Sequence, residues 1–127
     1  MRPRQFYLSA VQHYFDAMDV HRDPDMAAAC FAPDGSLTCV SDGEVYAGRA
    51  ALRQFFADIL DNSYRMSHRL THIVIDVGAG TCATEQDYTD DMRDGRRYDM
   101  HNCNFFEFNA DGLFTQVRFW MGKNRAK

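Results

Sequence analysis

From Met66 onward the chain is a succession of long strand-like segments separated by three turn signals. No other feature constrains the fold as strongly. Met66 to Val77 runs into Gly78-Ala79-Gly80, and Thr81 to Met92 runs into Asp94-Gly95. Arg96 to Phe108 runs into Asn109-Ala110-Asp111-Gly112, and Leu113 to Met121 closes the series. Short turns rich in Gly, Asn and Asp join antiparallel neighbours. Four such segments make a meander, and one face of it must be covered by something apolar.

The first half supplies the cover. Tyr7, Val11, Tyr14, Phe15 and Met18 recur with a 3.6-residue period, which predicts an amphipathic helix over about Phe6 to Asp19. Tyr14 lies near the middle of this stripe and Asp19 at its edge, whereas His13 and Asp16 point to solvent. Asp23 as N-cap and Pro24 as first helical residue open a second helix through Phe31, stopped by Pro33-Asp34-Gly35. Ser36 to Val40 reads as a short strand, with Val45-Tyr46 pairing back across Ser41-Asp42-Gly43. Gly48 opens a third helix whose apolar face is Leu52, Phe55, Phe56, Ile59 and Leu60. Together these predict an α+β cone: about three N-terminal helices laid on one curved antiparallel sheet.

Length and charge narrow the function. A chain of 127 residues, 46% hydrophobic and 25% charged, predicts one domain over 1–127 that needs neither disulfide nor metal to fold. Fourteen Lys and Arg against eighteen Asp and Glu leave a net charge of −4, which argues against nucleic acid. Arg93, Arg96 and Arg97 are interleaved with Asp90, Asp91 and Asp94 and read as a solvated hairpin tip. No apolar run is long enough for a membrane span or a signal peptide, which predicts a cytoplasmic chain with no membrane partner. Cys30, Cys39, Cys82 and Cys103 show no metal-ligand spacing and read as reduced, packed thiols. No cofactor or metal is implied. Aromatics reach 13%, enough for a ring-filled core or a ring-lined cavity.

Hairpin register predicts which side chains meet. A two-residue turn at Asp94-Gly95 sets Arg93 opposite Arg96 and His101 opposite Tyr88. Pairing Phe108 with Leu113 sets His101 opposite Trp120 and Cys103 opposite Arg118. One face then carries Tyr88, His101, Cys103, Phe105, Gln116, Arg118 and Trp120, mixed polar and aromatic as a ligand pocket would be. The other carries Phe106, Phe108, Val117, Phe119 and Met121, an apolar set that predicts a core or a homodimer interface. A one-residue bulge exchanges the two sets. Arg118 on a pocket face needs an anionic partner, such as Asp19 or a substrate carboxylate. His68 alternates with Met66 and Leu70 and points inward, and His72 shares its parity.

This order of elements resembles the cone fold shared by nuclear transport factor 2, ketosteroid isomerase, scytalone dehydratase and the SnoaL-like polyketide cyclases. The resemblance is carried by YFDAMDVHRD, with Tyr14 and Asp19, by FAPDGSL from Phe31 and by YAGRAALRQFF from Tyr46. MSHRLTHIVID from Met66 and FEFNADGLFTQVRFW from Phe106 extend it over nearly the whole chain. It implies that Tyr14 stands where ketosteroid isomerase has its oxyanion-hole tyrosine. His101 stands at that enzyme's second oxyanion-hole acid, and Trp120 at a pocket tryptophan. Cys39 occupies the place of its aspartate base, a departure that argues against steroid-isomerase chemistry. Dehydratase members pair a first-helix Tyr and a nearby Asp with a strand His, which matches Tyr14, Asp19 and His68 and favours His68 over His72.

The resemblance thus implies a cofactor-independent acid–base enzyme, a dehydratase, isomerase or cyclase, acting on a small cyclic or polyketide-like carbonyl compound. The catalytic set would be Tyr14, Asp19, His68 and His101, and the substrate-binding set Tyr88, Phe105, Arg118 and Trp120. Two other readings stand beside it. One is a non-catalytic binding or dimerisation module of the same fold. The other is an epoxide hydrolase, which requires an Asp-Arg-Asp set.

Overall fold

The apolar stripe of the first helix decides the architecture, because it has to be buried against a sheet. In the computed structural model, which describes residues 2–127, helix α1 spans Arg4–Asp19 and buries Tyr7, Val11, Tyr14, Phe15 and Met18. Helix α2 (Pro24–Ala29) is capped by Asp23, whose carboxylate accepts from the backbone N–H groups of Asp25 and Met26. Strands β1 (Phe31–Cys39) and β2 (Glu44–Ala47) form a hairpin. Helix α3 (Arg49–Asn62) follows, entered through Gly48, whose φ of 84° no side chain would favour. Strands β3 (Ser63–Asp76), β4 (Thr81–Met92), β5 (Arg97–Phe108) and β6 (Phe114–Trp120) complete one curved, unclosed sheet in the order β2-β1-β6-β5-β4-β3. All neighbours are antiparallel except β1 and β6, which are parallel. This is the expected α+β cone.

The centre of the core is aromatic. The Tyr14 ring has five phenylalanine rings around it, Phe15, Phe31, Phe56, Phe106 and Phe114, with centroids 5.3–6.0 Å away. Four of these contacts are edge-on, the geometry that ring quadrupoles prefer. Helices α1 and α3 and strands β1, β5 and β6 are thereby gathered on one residue.

Two local expectations change. The second helix ends at Ala29, and Phe31 already belongs to β1. Phe31 pairs with Phe114 across the parallel ladder, and the register shifts between Phe31 and Ser36. Gly35 lies in that irregularity: a Cβ there would sit 2.8 Å from the Phe114 carbonyl oxygen. Its role is close backbone approach inside a strand.

The larger correction concerns the β4–β5 hairpin. Its loop has three residues, Arg93-Asp94-Gly95, closed by Met92 N–H donating to Arg96 O at 2.8 Å. Gly95 takes the left-handed conformation (φ 92°) such a loop needs. The added residue shifts the register by one, so Tyr88 faces Met100, and His101 faces Asp87. Side chains alternate across a strand, so Tyr88 moves to the helix-facing side with Gln86, Met100, Asn102 and Asn104. His101, Cys103, Phe105, Arg118 and Trp120 stay together but occupy the outer side, away from the helices. The Phe106 and Val117 side chains, read as a core or an interface between copies, are fully buried within the chain's own core.

Phe106→Ala separates a core residue from an interface residue. We expect it to destabilise the chain by about 3–5 kcal/mol, independently of protein concentration, as measured by urea unfolding. A loss that vanished on dilution would mark an interface.

Candidate active site

Helix α1 delivers Tyr14 to the cavity wall and Asp19 to His68 beside it. Asp19 ends the helix, where a carboxylate opposes the helix dipole. It is compensated by strand β3: its Oδ2 accepts from the His68 backbone N–H at 2.6 Å, and its Oδ1 lies 2.8 Å from His68 Nδ1. Both side chains are about seven-eighths buried (13% and 12% exposed). The His68 ring is stacked on Phe15 at 4.8 Å with an interplanar angle of 9° and lies 4.9 Å from the Tyr88 ring. A carboxylate at Nδ1 selects the tautomer with the proton on that nitrogen, leaving the Nε2 lone pair free. His72 is excluded from this wall by a register shift between Leu70 and His72, which turns His72 to the outer side opposite Glu85.

The cavity beside His68 has a volume of ≈ 230 Å³. Tyr14, Phe15 and Met18 of α1 line it from one side and Phe55, Phe56 and Ile59 of α3 from another. Strands β4 and β5 contribute Gln86, Tyr88, Asn102 and Asn104. The β1–β2 hairpin contributes Cys39, Asp42, Glu44 and Tyr46. Asp42 and Glu44 are exposed and mark the end that opens to solvent.

Hydrogen-bond donors point into this space. Among the described residues, the Tyr14 hydroxyl, on a residue only 3% exposed, bonds no protein group and reaches the cavity. Burial pushes its pKa well above the ordinary tyrosine value, so it stays a neutral donor. Asn102 is 6% exposed, and its Oδ1 accepts from the Gly122 backbone N–H at 2.9 Å. An N–H at that oxygen fixes the amide orientation and turns the Asn102 NH₂ into the cavity. Asn104 Oδ1 accepts from Gln86 Nε2, and Gln86 Oε1 accepts from the Thr84 hydroxyl, each at 2.7 Å. Tyr88 donates to Asp90, which also accepts from the buried Ser63 hydroxyl. Burial, and then that Asp90 bond, raise the Tyr88 pKa. The Cys39 thiol donates to the Asp42 carboxylate at 3.4 Å, and burial raises its pKa.

Of the residues singled out from sequence, Tyr14, His68 and Tyr88 line this cavity, and Asp19 joins them through its bonds to His68. The other four do not. His101 is exposed on the outer face and bonded to Asp87, whose carboxyl is held low by that bond and by Arg69. Arg118 stacks its guanidinium over Phe105 at 5.0 Å and lies 3.9 Å from Glu107, so neither Asp19 nor a cavity ligand is its partner. Phe105 and Trp120 line a shallow outer groove with His72 and Cys103. His68, His72 and His101 are split between two faces and do not gather as metal ligands. Sequence reasoning missed Gln86, Asn102 and Asn104. The available signal was the alternation of Met100, Asn102, Asn104 and Phe106, a polar pair at core parity.

Comparison with known proteins agrees with the fold. A family model described as "SnoaL-like domain" matches residues 11–117, and the chain belongs to that family. A protein named "Steroid Delta-isomerase" from Nocardioides simplex is 30% identical over 113 residues, 88% of this chain and 87% of that one. The epoxide hydrolase/cyclase-like enzyme SalBIII superposes with a TM-score of 0.82 at 18% identity, covering 96% of this chain and 95% of that one. A protein with a ketosteroid isomerase-like fold from Catenulispora acidiphila gives 0.77 at 14% identity, covering 87% and 82%. These two likenesses show the fold. Among the described residues, no helix is long and apolar enough to cross a membrane.

The buried Tyr14 hydroxyl has a consequence for stability. In the unfolded chain it ionises near the ordinary tyrosine value of 10.0, whereas the folded chain keeps it protonated to higher pH. The unfolded state therefore binds fewer protons above that pH, and stability is full below it and declines as pH rises. We expect the urea midpoint to fall from about pH 10 upward and Tyr14→Phe to fall less steeply. Equal slopes would place the hydroxyl outside the buried cavity.

Proposed function

We propose that this chain is a cofactor-independent acid–base enzyme that removes a proton α to a carbonyl group in a small, mostly apolar, cyclic or polyketide-like substrate. The observation that carries this reading is the Asp19–His68 pair at the cavity wall: an oriented imidazole with a free Nε2 beside buried, unpartnered donors. His68 Nε2 takes the α-proton, and Asp19 stabilises the imidazolium that forms. Negative charge then develops on the carbonyl oxygen, and Tyr14 Oη and the Asn102 NH₂ donate to it. Returning the proton at another carbon gives isomerisation. Expelling a β-hydroxyl as water, with the proton returned from the His68 imidazolium, gives dehydration, and attack of the enolate on a second carbonyl, whose oxygen then takes that proton, gives cyclisation.

The similarity to a steroid isomerase supports proton transfer next to a carbonyl, while Cys39 at the expected base position moves that duty to His68. The size of the cavity, below the roughly 300–1,000 Å³ of drug-sized ligand sites, favours a compact substrate. Among the described residues no arginine lines the cavity, so the Asp-Arg-Asp set of an epoxide hydrolase is not assembled there.

A substrate-independent assay follows the chemistry itself. In D₂O the protein should catalyse exchange of the α-protons of a simple cyclic ketone, read by proton NMR. His68→Ala should lower that rate about 10²–10⁴-fold, and Asp19→Asn should lower it less. Undiminished exchange in His68→Ala would reject the base. No exchange by the native chain, with the ketone bound in the cavity, would favour a binding module.

We also propose a homodimer, formed by the outer sheet face. Trp120 is 41% exposed and Val74 59% exposed beside the same shallow groove, an apolar area that a second copy would cover. Light scattering at micromolar concentration should return twice the 14.6 kDa chain mass, and Trp120→Glu should return the chain mass. A native monomer would overturn this.

A further inference from the structure

The charges around the cavity are one-sided. Its open end carries two carboxylates, Asp42 and Glu44, and among the described residues no Lys or Arg lines the cavity. The pair is built onto aromatic surface. Glu44 accepts a hydrogen bond from the Tyr46 hydroxyl, and the Tyr46 ring lies 4.4 Å from the Phe55 ring. That bond, before burial, raises the Tyr46 pKa to about 12. Asp42 accepts the Cys39 thiol. Each carboxylate thus has one partner that orients it without neutralising it.

The inner end has the opposite character. Tyr14 Oη and the Asn102 NH₂ are unpartnered donors on residues more than nine-tenths buried, and both line the same space. A ligand that satisfies the cavity must therefore present an acceptor oxygen inward. Outward, it meets two negative charges beside two ring faces, a combination that attracts an ammonium group. An anionic group at that end would face like charge with no counter-ion.

We infer that the substrate of this site is a small carbonyl compound bearing a protonated amine. Its carbonyl oxygen lies on Tyr14 and Asn102, and its ammonium lies against Asp42, Glu44 and the Tyr46 and Phe55 rings. This rests on the carbonyl-binding reading above but not on the identity of the base, so binding alone tests it.

Three cyclohexanones of matched shape serve as probes. 4-(Dimethylamino)cyclohexanone is cationic at neutral pH, 4-isopropylcyclohexanone is its neutral isostere, and 4-oxocyclohexanecarboxylate is anionic. Their dissociation constants are measured by titration of the ¹⁵N-labelled chain, following the Asn102 side-chain amide. The amine should bind about tenfold tighter than the isopropyl compound, and the carboxylate should bind weakest. The preference should shrink in about 0.5 M salt. In the Asp42→Asn/Glu44→Gln double variant, which keeps both acceptors, the ratio of amine to isopropyl affinity should drop to within about twofold.

Equal or tighter binding of the neutral ketone, or a preference that survives in the double variant, would overturn the inference and leave the carbonyl-binding reading standing. Failure of all three ketones to move the Asn102 amide would overturn both.

Discussion

The packing of Tyr14 against five phenylalanine rings is the constraint on which the rest of the structure depends. It seats α1 on the sheet at one height and one rotation. With the helix so placed, Asp19, a little over one turn further on, arrives over β3 beside His68. The Tyr14 hydroxyl, the one polar atom of the ring cluster, is left facing the cavity. One residue therefore sets both the core and the first donor of the site. An alanine there would remove packing and chemistry together, which is why the hydroxyl has to be probed by phenylalanine.

The cavity is a continuation of the core. Its apolar walls belong to side chains that also fill the cone, and its polar groups enter at core parity on β4 and β5. Buried amides are costly unless they are bonded. Here Thr84, Gln86 and Asn104 Oδ1 are bonded in a chain, and Asn102 Oδ1 is held by the Gly122 backbone. The donors left over are the ones directed into empty space. That distribution is what a site preorganised for an oxygen acceptor looks like, because the orienting bonds already exist before a ligand arrives.

Electrostatics then divides the cavity along its length. The inner end offers neutral donors, the Asn102 amide and a Tyr14 hydroxyl kept protonated by burial, and the rim offers carboxylates in water. Between them stands one imidazole oriented by one buried carboxylate. The outer face of the sheet holds another Asp–His pair, Asp87 and His101, but it lies in solvent within a network that includes Arg69 and Arg125. The two pairs share residue types and differ in burial, and burial makes the inner one a candidate for proton transfer.

Much of this was legible in the chain itself. The period of the Tyr7-to-Met18 stripe, the Asp23-Pro24 cap and the glycine turns follow from local backbone and hydrophobic rules, and they suffice for helices laid on a meander. The Tyr14, Asp19 and His68 set was legible through the family resemblance; helix phase placed Tyr14 and Asp19, but strand parity alone did not separate His68 from His72. What the chain alone left undecided was which way each strand faced. A single extra loop residue at Arg93-Asp94-Gly95 moved Tyr88 to the inner side and left His101 and Trp120 outside. A single bulge after Leu70 separated His72 from His68. The mixed polar-aromatic face looked like the pocket, yet the pocket opened over the apolar face, because a cavity in a small cone has to be carved from its core. Strand faces alternate with every residue, so one residue of register reverses them. Register is settled only when the strands close against one another and against α1.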